Sequence, residues 1–421
     1  MRKSLTILLC LVCMAYITGC GGGATSSVTT TYDKFPVPHF EQYTSVVKGR
    51  IPNGPLAFNN FTGSRAFKNY SVSTRAGSSA GFTNRTSAVN PAAQFNRPLG
   101  ITADAKNLYV ADYLNNAIRM IDVNGYVRTV AGVLGLAGSA NTADGIPSFN
   151  LPRDITTDGK SLYIADSGNY TIRKIDMTTS PWTVTLLAGG VGLPGSVDAL
   201  KGTDARFNVI NGITTDGQNL YVTDSNNTIR RIVIASPSPV TTVAGTPDTI
   251  GSTDGIARNP ATARFNLPNR LTIDGRNLYV TDFGNSTIRK IDLNTGDVTT
   301  IAGQVWPGGA AGLYSDSTDG TGNTARFNHP NGITTDGVNL YVTESFNSRI
   351  RKIVISGKPG SVYSGAVTTI AGRDSTIKGG LKEGYGTVAT FNTPVGITTD
   401  GTSLYIVDNL NHRIRKIQSG N

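Results

Sequence analysis

One stretch recurs six times along this 421-residue chain and limits what the chain can fold into. Its fifth copy runs from Phe327 to Gly372. It reads F-N-H-P-N-G-I-T-T-D-G-V-N-L-Y-V-T-E, then S-R-I-R-K-I, then V-T-T-I-A-G. The anchoring phenylalanines are Phe95, Phe149, Phe207, Phe265, Phe327 and Phe391, spaced by 54, 58, 58, 62 and 64 residues. A period of this length means one supersecondary unit per repeat. Each unit offers four short strands, predicted in the fifth copy at 333–336, 339–343, 349–353 and 367–371. Tyr, Val, Ile and Thr dominate them, and Asp336-Gly337 supplies a turn. No copy holds a helical period of useful length.

Strand side chains alternate between faces, so Leu340 and Val342 point one way and Tyr341 and Thr343 the other. Both faces carry apolar groups, and both need a neighbouring sheet. A ring of sheets supplies one on each side, as in a β-propeller of 4–8 four-stranded blades. A solenoid would need distinct end caps. The ends favour the ring. The sixth copy stops after Ile414-Arg415-Lys416-Ile417, without a V-T-T-x-A-G strand. Ser71 to Gly77, ahead of the first copy, looks like the missing piece. The expected fold is all-β: a six-bladed β-propeller over residues 70–421, closed by an N-terminal strand that completes the last blade and hides its edge.

Upstream, residues 1–19 have the charged start (Arg2, Lys3) and apolar run of a signal peptide. The run is too short to span a membrane. Ile17-Thr18-Gly19-Cys20 resembles the lipobox of bacterial lipoproteins, which implies a lipid on Cys20 after cleavage, over a flexible tether at 20–31. An ordinary secretory signal is the alternative. Cys10 and Cys13 fall in the signal, so the mature body has no thiol to use for disulfides, catalysis or metal. Residues 32–69 are aromatic-rich and read as a strap on the propeller side or base, or as a small adhesive module. The formal charge of +10 becomes +8 without Arg2 and Lys3. This suits anionic partners: phospholipid headgroups, lipopolysaccharide or acidic glycans, with nucleic acid not expected outside the cytoplasm.

Asp408-Asn409-Leu410-Asn411-His412-Arg413-Ile414-Arg415 resembles the signature of NHL repeats. Pro394-x-Gly396-Ile397 and Leu404-Tyr405-Ile406-Val407-Asp408 look like the rest of that repeat, and the resemblance covers about Ser71 to Ile417. It implies a propeller whose first strands line the channel and whose top rim is built from the loops leading into them and from the second-to-third-strand turns. The long Gly-rich linkers, such as Gly132 to Ser148 and Gly303 to Arg326, are expected on that face. Proteins with NHL-type propellers include protein-binding platforms, RNA-binding domains, metal-dependent lyases and extracellular scaffolds, so fold alone assigns no role.

Chemistry is sparse. A lyase or lactonase would need clustered His and carboxylates, and only His39, His329 and His412 exist. Asp112, Asp166, Asp224, Asp282, Glu344 and Asp408 recur at the end of the second strand. Asn115, Asn169, Asn227, Asn285, Asn347 and Asn411 follow three residues on. Arg119, Arg173, Arg230, Arg289, Arg351 and Arg415 recur in the third strand. Such repetition reads as scaffold. Residues 316–324 hold oxygen donors suited to calcium but lack EF-hand spacing, so no cofactor is expected. Neither a phosphate-cradling loop nor a nucleophile triad is present as a local motif.

Departures from symmetry say more. Where the repeat reads P-x-G-I, glycine stands at Gly100, Gly212, Gly332 and Gly396, but Asp154 and Arg270 replace it in blades two and four. The preceding residue is Arg153, Asn211, Asn269 or Asn331 in the middle blades, and Leu99 or Val395 in the outer ones. This polar half-ring, with His329 beside it, is the candidate ligand site; a salt bridge or solvated rim is the plainer alternative. The overall expectation is a monomeric, lipid-anchored propeller of the bacterial cell envelope, with the outer membrane favoured, that binds protein or glycan through its top face. A metal-assisted lyase or lactonase and a structural envelope component are the rivals.

Overall fold

A computed structural model describes residues 70–84, 93–256, 262–305, 317–355, 365–373 and 379–419. The signal, tether and strap, with Cys20 and His39, lie outside the described residues. The strands form six antiparallel sheets whose four main strands run inner to outer along the chain, except that the last sheet takes its outer strand from the start of the chain. The inner strands are Ile101–Ala103, Pro152–Thr157, Ile210–Thr215, Pro268–Ile273, Pro330–Thr335 and Pro394–Thr399. Each lies against the inner strands on both sides, and the last returns to the first, so the ring is shut.

Closure follows the expected route. Tyr70–Ala76 pairs antiparallel with Arg413–Ser419, with Val72 opposite Ile417 and Thr74 opposite Arg415. Tyr70 and Val72 are buried in the seam. Each apolar core lies between two blades. In one, Tyr163 and Ile172 of blade two meet Phe207, Ile213 and Leu220 of blade three.

Two six-fold devices hold the blades. At the base, the aspartate of each first turn accepts a hydroxyl from the tyrosine five residues on, as in Tyr109 to Asp104 at 2.8 Å and Tyr279 to Asp274 at 2.7 Å. The sequence reading did not single out this D-x-x-x-x-Y spacing. At the other end of the second strand, the recurrent arginine is wholly buried over its phenylalanine, with the guanidinium carbon 5.0 Å from the ring centroid for Arg289 and Phe265. Arg289 also meets Asp282 at 2.8 Å, and Asn285 donates to the same oxygen at 2.7 Å. Burial pushes the matching carboxyls up, to about 6 for Asp112 and about 7 for Asp166, while Arg119 and Arg173 pull them back down. Desolvating a guanidinium costs several kcal/mol. Four hydrogen bonds to Arg119 offset that cost.

Blade three departs from the expected spacing. Its turn is one residue shorter, and Asn227 takes the left-handed cap position (φ 69°) that Asn116 holds in blade one (φ 53°). Its side chain accepts from Leu267 N at 2.9 Å, as Asn116 accepts from Leu151 N at 2.8 Å. Asn227 is therefore the counterpart of Asn116, not of Asn115.

The Gly-rich linkers also differ from expectation. Rather than staying over the top face, each runs along the outer edge of the next blade. Gly320 and Thr321 pair with Val367 and Ala366, and Gly384 and Tyr385 pair with Val72 and Ser71. The buried arginines pin these edges. Arg351 reaches Asp319 at 2.8 Å, and Asp319 also accepts from Thr369 N at 3.0 Å. Asp319 belongs to the stretch whose oxygens suggested calcium; Asp316 lies outside the described residues. Covered edges protect a sheet from pairing with other chains.

Candidate functional site

The channel mouth is built from two tiers on the inner strands. The lower tier reads Gly100, Asp154, Gly212, Arg270, Gly332, Gly396 around the ring. Neighbouring inner strands approach so closely that a Cβ on Gly100 would lie 2.5 Å from the Asp154 Cα, and one on Gly212 would lie 2.9 Å from the Arg270 Cα. Asp154 and Arg270 fit because each is flanked by glycines.

Asp154 and Arg270 join blades two and four over the top of Gly212. Their side chains meet at 3.0 Å and are nearly buried. Asp154 also accepts from Ile213 N at 2.9 Å. Arg270 donates to the carbonyls of Asn211 and Arg153, the latter at 2.9 Å. Burial pushes the Asp154 carboxyl up and the Arg270 guanidinium down, and each opposes the other's shift. The pair works as an internal strut.

The upper tier is Leu99, Arg153, Asn211, Asn269, Asn331 and Val395. Arg153 is half-buried. It donates to Asn211 Oδ1 at 3.2 Å and lies 5.7 Å from the Tyr113 ring centroid. Asn211 donates to Pro268 O at 3.3 Å. Asn269 and Asn331 are partly exposed. Their backbone carbonyls accept from Thr223 and Thr281, at 2.5 and 2.7 Å. Among the described residues no protein group bonds their side-chain amides.

His329 sits two residues before Asn331, in a left-handed conformation (φ 53°). It packs on Phe346 and Phe283, with centroids 4.3 and 4.7 Å away. Its Nδ1 lies 2.7 Å from Asn328 Oδ1. Burial lowers its pKa to about 4. His412 makes a separate contact, accepting from Arg97 N at 3.1 Å. Among the described residues no three His, Cys, Asp or Glu side chains converge as a metal site.

A pH test follows. His329 is neutral when folded, and its folded pKa of about 4 lies below the unfolded value of ~6.5. Between these values the unfolded chain binds more protons, so its contribution is complete above ~6.5 and lost as pH falls toward 4. The loss should reach ~3 kcal/mol at most, counting ~1.4 kcal/mol per pH unit. Denaturant midpoints for wild type and His329→Gln, compared across pH 7 to 4, should converge on acidification. Parallel curves would contradict the assignment.

No protein-family model matches the chain. Human NHL repeat-containing protein 2 aligns with it over 349 residues at 28% identity, covering 76% of this chain and 46% of the relative. The chain thus spans about half the length of that relative. Together with the six-sheet ring, this fixes the type of fold. The chain is a six-bladed β-propeller, similar in sequence to NHL-repeat proteins. Solved structures agree on the fold. A Bacteroides thetaiotaomicron protein of unknown function superposes with a TM-score of 0.57 at 22% identity, covering 83% of this chain and 76% of its own. An auxiliary nutrient binding protein from the same organism gives 0.56 at 19%, with the same coverage. In this propeller, the repeated Arg, Asp, Asn and Phe positions are absorbed by the scaffold. The mouth is where the blades differ.

Proposed function

We propose that this protein is a lipid-anchored, extracytoplasmic binding propeller of a bacterial cell envelope, recognising a protein or glycan through the channel mouth. The observation that carries the reading is the pair of carboxamides, Asn269 and Asn331, which among the described residues have no protein partner, on a tier that is polar in four blades and apolar only at Leu99 and Val395. Buried or half-buried amides seek partners, and asymmetry on one rim of a repeat ring is how a symmetric scaffold acquires a site. The name of the nutrient-binding neighbour is compatible with this reading and bears on fold alone. Anchoring through Cys20 rests on the lipobox resemblance.

Affinity capture from the protein's own cell envelope tests the reading, using the full chain in mild detergent. Wild type should retain a ligand that the Asn269→Ala/Asn331→Ala variant loses at least tenfold. Equal capture by both would remove the mouth as the binding face. Cys20→Ser should release the protein from the membrane fraction; unchanged fractionation would remove the anchor.

A further inference from the structure

The charges at the mouth do not balance. On the two tiers described, Arg153 and Arg270 are cationic and Asp154 is the single anion. Arg270 is matched by Asp154 at 3.0 Å. Among the described residues Arg153 contacts no carboxylate: it meets the Asn211 amide oxygen and the face of Tyr113, and the Arg270 guanidinium nearby repels it. A half-buried guanidinium is poorly screened by solvent, and its planar fork matches a carboxylate.

The rest of the tier narrows the class. Asn211, Asn269 and Asn331 stand on three successive blades, and each carboxamide offers both donors and acceptors. Such groups suit the alternating hydroxyls of a sugar ring. Phe283 and Phe346, both partly exposed, gather around His329, two residues before Asn331. Aromatic faces suit the apolar face of a pyranose.

We infer that the mouth binds a carboxylated saccharide, with the acid group on Arg153 and the hydroxyls on Asn269 and Asn331. This rests on the mouth being the binding face. The full chain in mild detergent is passed over immobilised polygalacturonate, alginate and hyaluronate, over their methyl-esterified forms, and over dextran sulfate. Retention is expected on at least one carboxylated polymer. Methyl esterification should weaken it about tenfold or more, and so should Arg153→Gln, with thermal stability unchanged. Retention that survives esterification or Arg153→Gln overturns the inference, as does retention on none of the three. Retention on dextran sulfate alone would indicate bulk charge and also overturns it. If these arms fail while envelope capture still depends on Asn269 and Asn331, the binding face stands and the ligand class falls. If capture also fails, both fall.

Discussion

A chain that begins at Ser78, and so lacks the closing strand, should lose its cooperative unfolding transition or melt at least ~10 °C lower. Tyr70 and Val72 are each nearly fully buried in the seam, and core side chains are worth roughly 2–5 kcal/mol apiece. Removing the strand also bares Ile417, otherwise 1% exposed, and leaves one edge of Arg413–Ser419 without backbone partners, its other edge staying paired with Ser403–Asp408. The sum approaches the ~5–15 kcal/mol that holds a typical domain together. For a ring this size, each lost kcal/mol lowers the melting temperature by ~2–4 °C at most. A synthetic peptide covering residues 70–77 should restore part of the loss by adding back the strand. Thermal unfolding with and without the peptide decides the matter. A shortened chain as stable as the parent would mean the ring does not depend on this seam.

The second large effect concerns the strut. Arg270→Gly leaves the Asp154 carboxylate buried without its cation, and Asp154→Gly does the reverse. Breaking a buried pair from one side costs about 3–5 kcal/mol. Replacing both by glycine gives all six blades the same residue at this level. The double variant should lose only ~1–2 kcal/mol, the backbone cost of two added glycines. Denaturant midpoints across the four-member cycle measure the coupling. If the double loss equals the sum of the single losses, the pair is not acting as one unit.

The fold was legible because a repeat unit that is apolar on both faces has few ways to hide itself. Six copies with an orphan strand ahead of the first left the ring as the economical answer. The closing strand could be read because Ser71 to Gly77 echoes Val240 to Gly245. Other features were hidden for physical reasons. The linkers are Gly-rich and irregular, so nothing in their composition says that they turn outward to edge the next blade. What directs them is Arg351 and its counterparts, whose second partner, such as Asp319, lies 32 residues upstream. Asn227 was misplaced because a one-residue shortening is invisible when asparagines stand side by side. Asp154 and Arg270 could be picked out as exceptions to the repeat. A salt bridge was the plainer alternative for them; what sequence distance left open was that the two pair with each other across Gly212, two blades apart.

The seam has a mechanical consequence. Tyr70 lies opposite Ser419, so the two ends of the ring leave it side by side. Tension applied between them would pull the antiparallel ladder open like a zip, one rung after another, rather than shearing all rungs together. The other blades are each a single unbroken run of chain and carry no such fault line. Under load, this protein should yield first at its own join, with the remaining five sheets still folded.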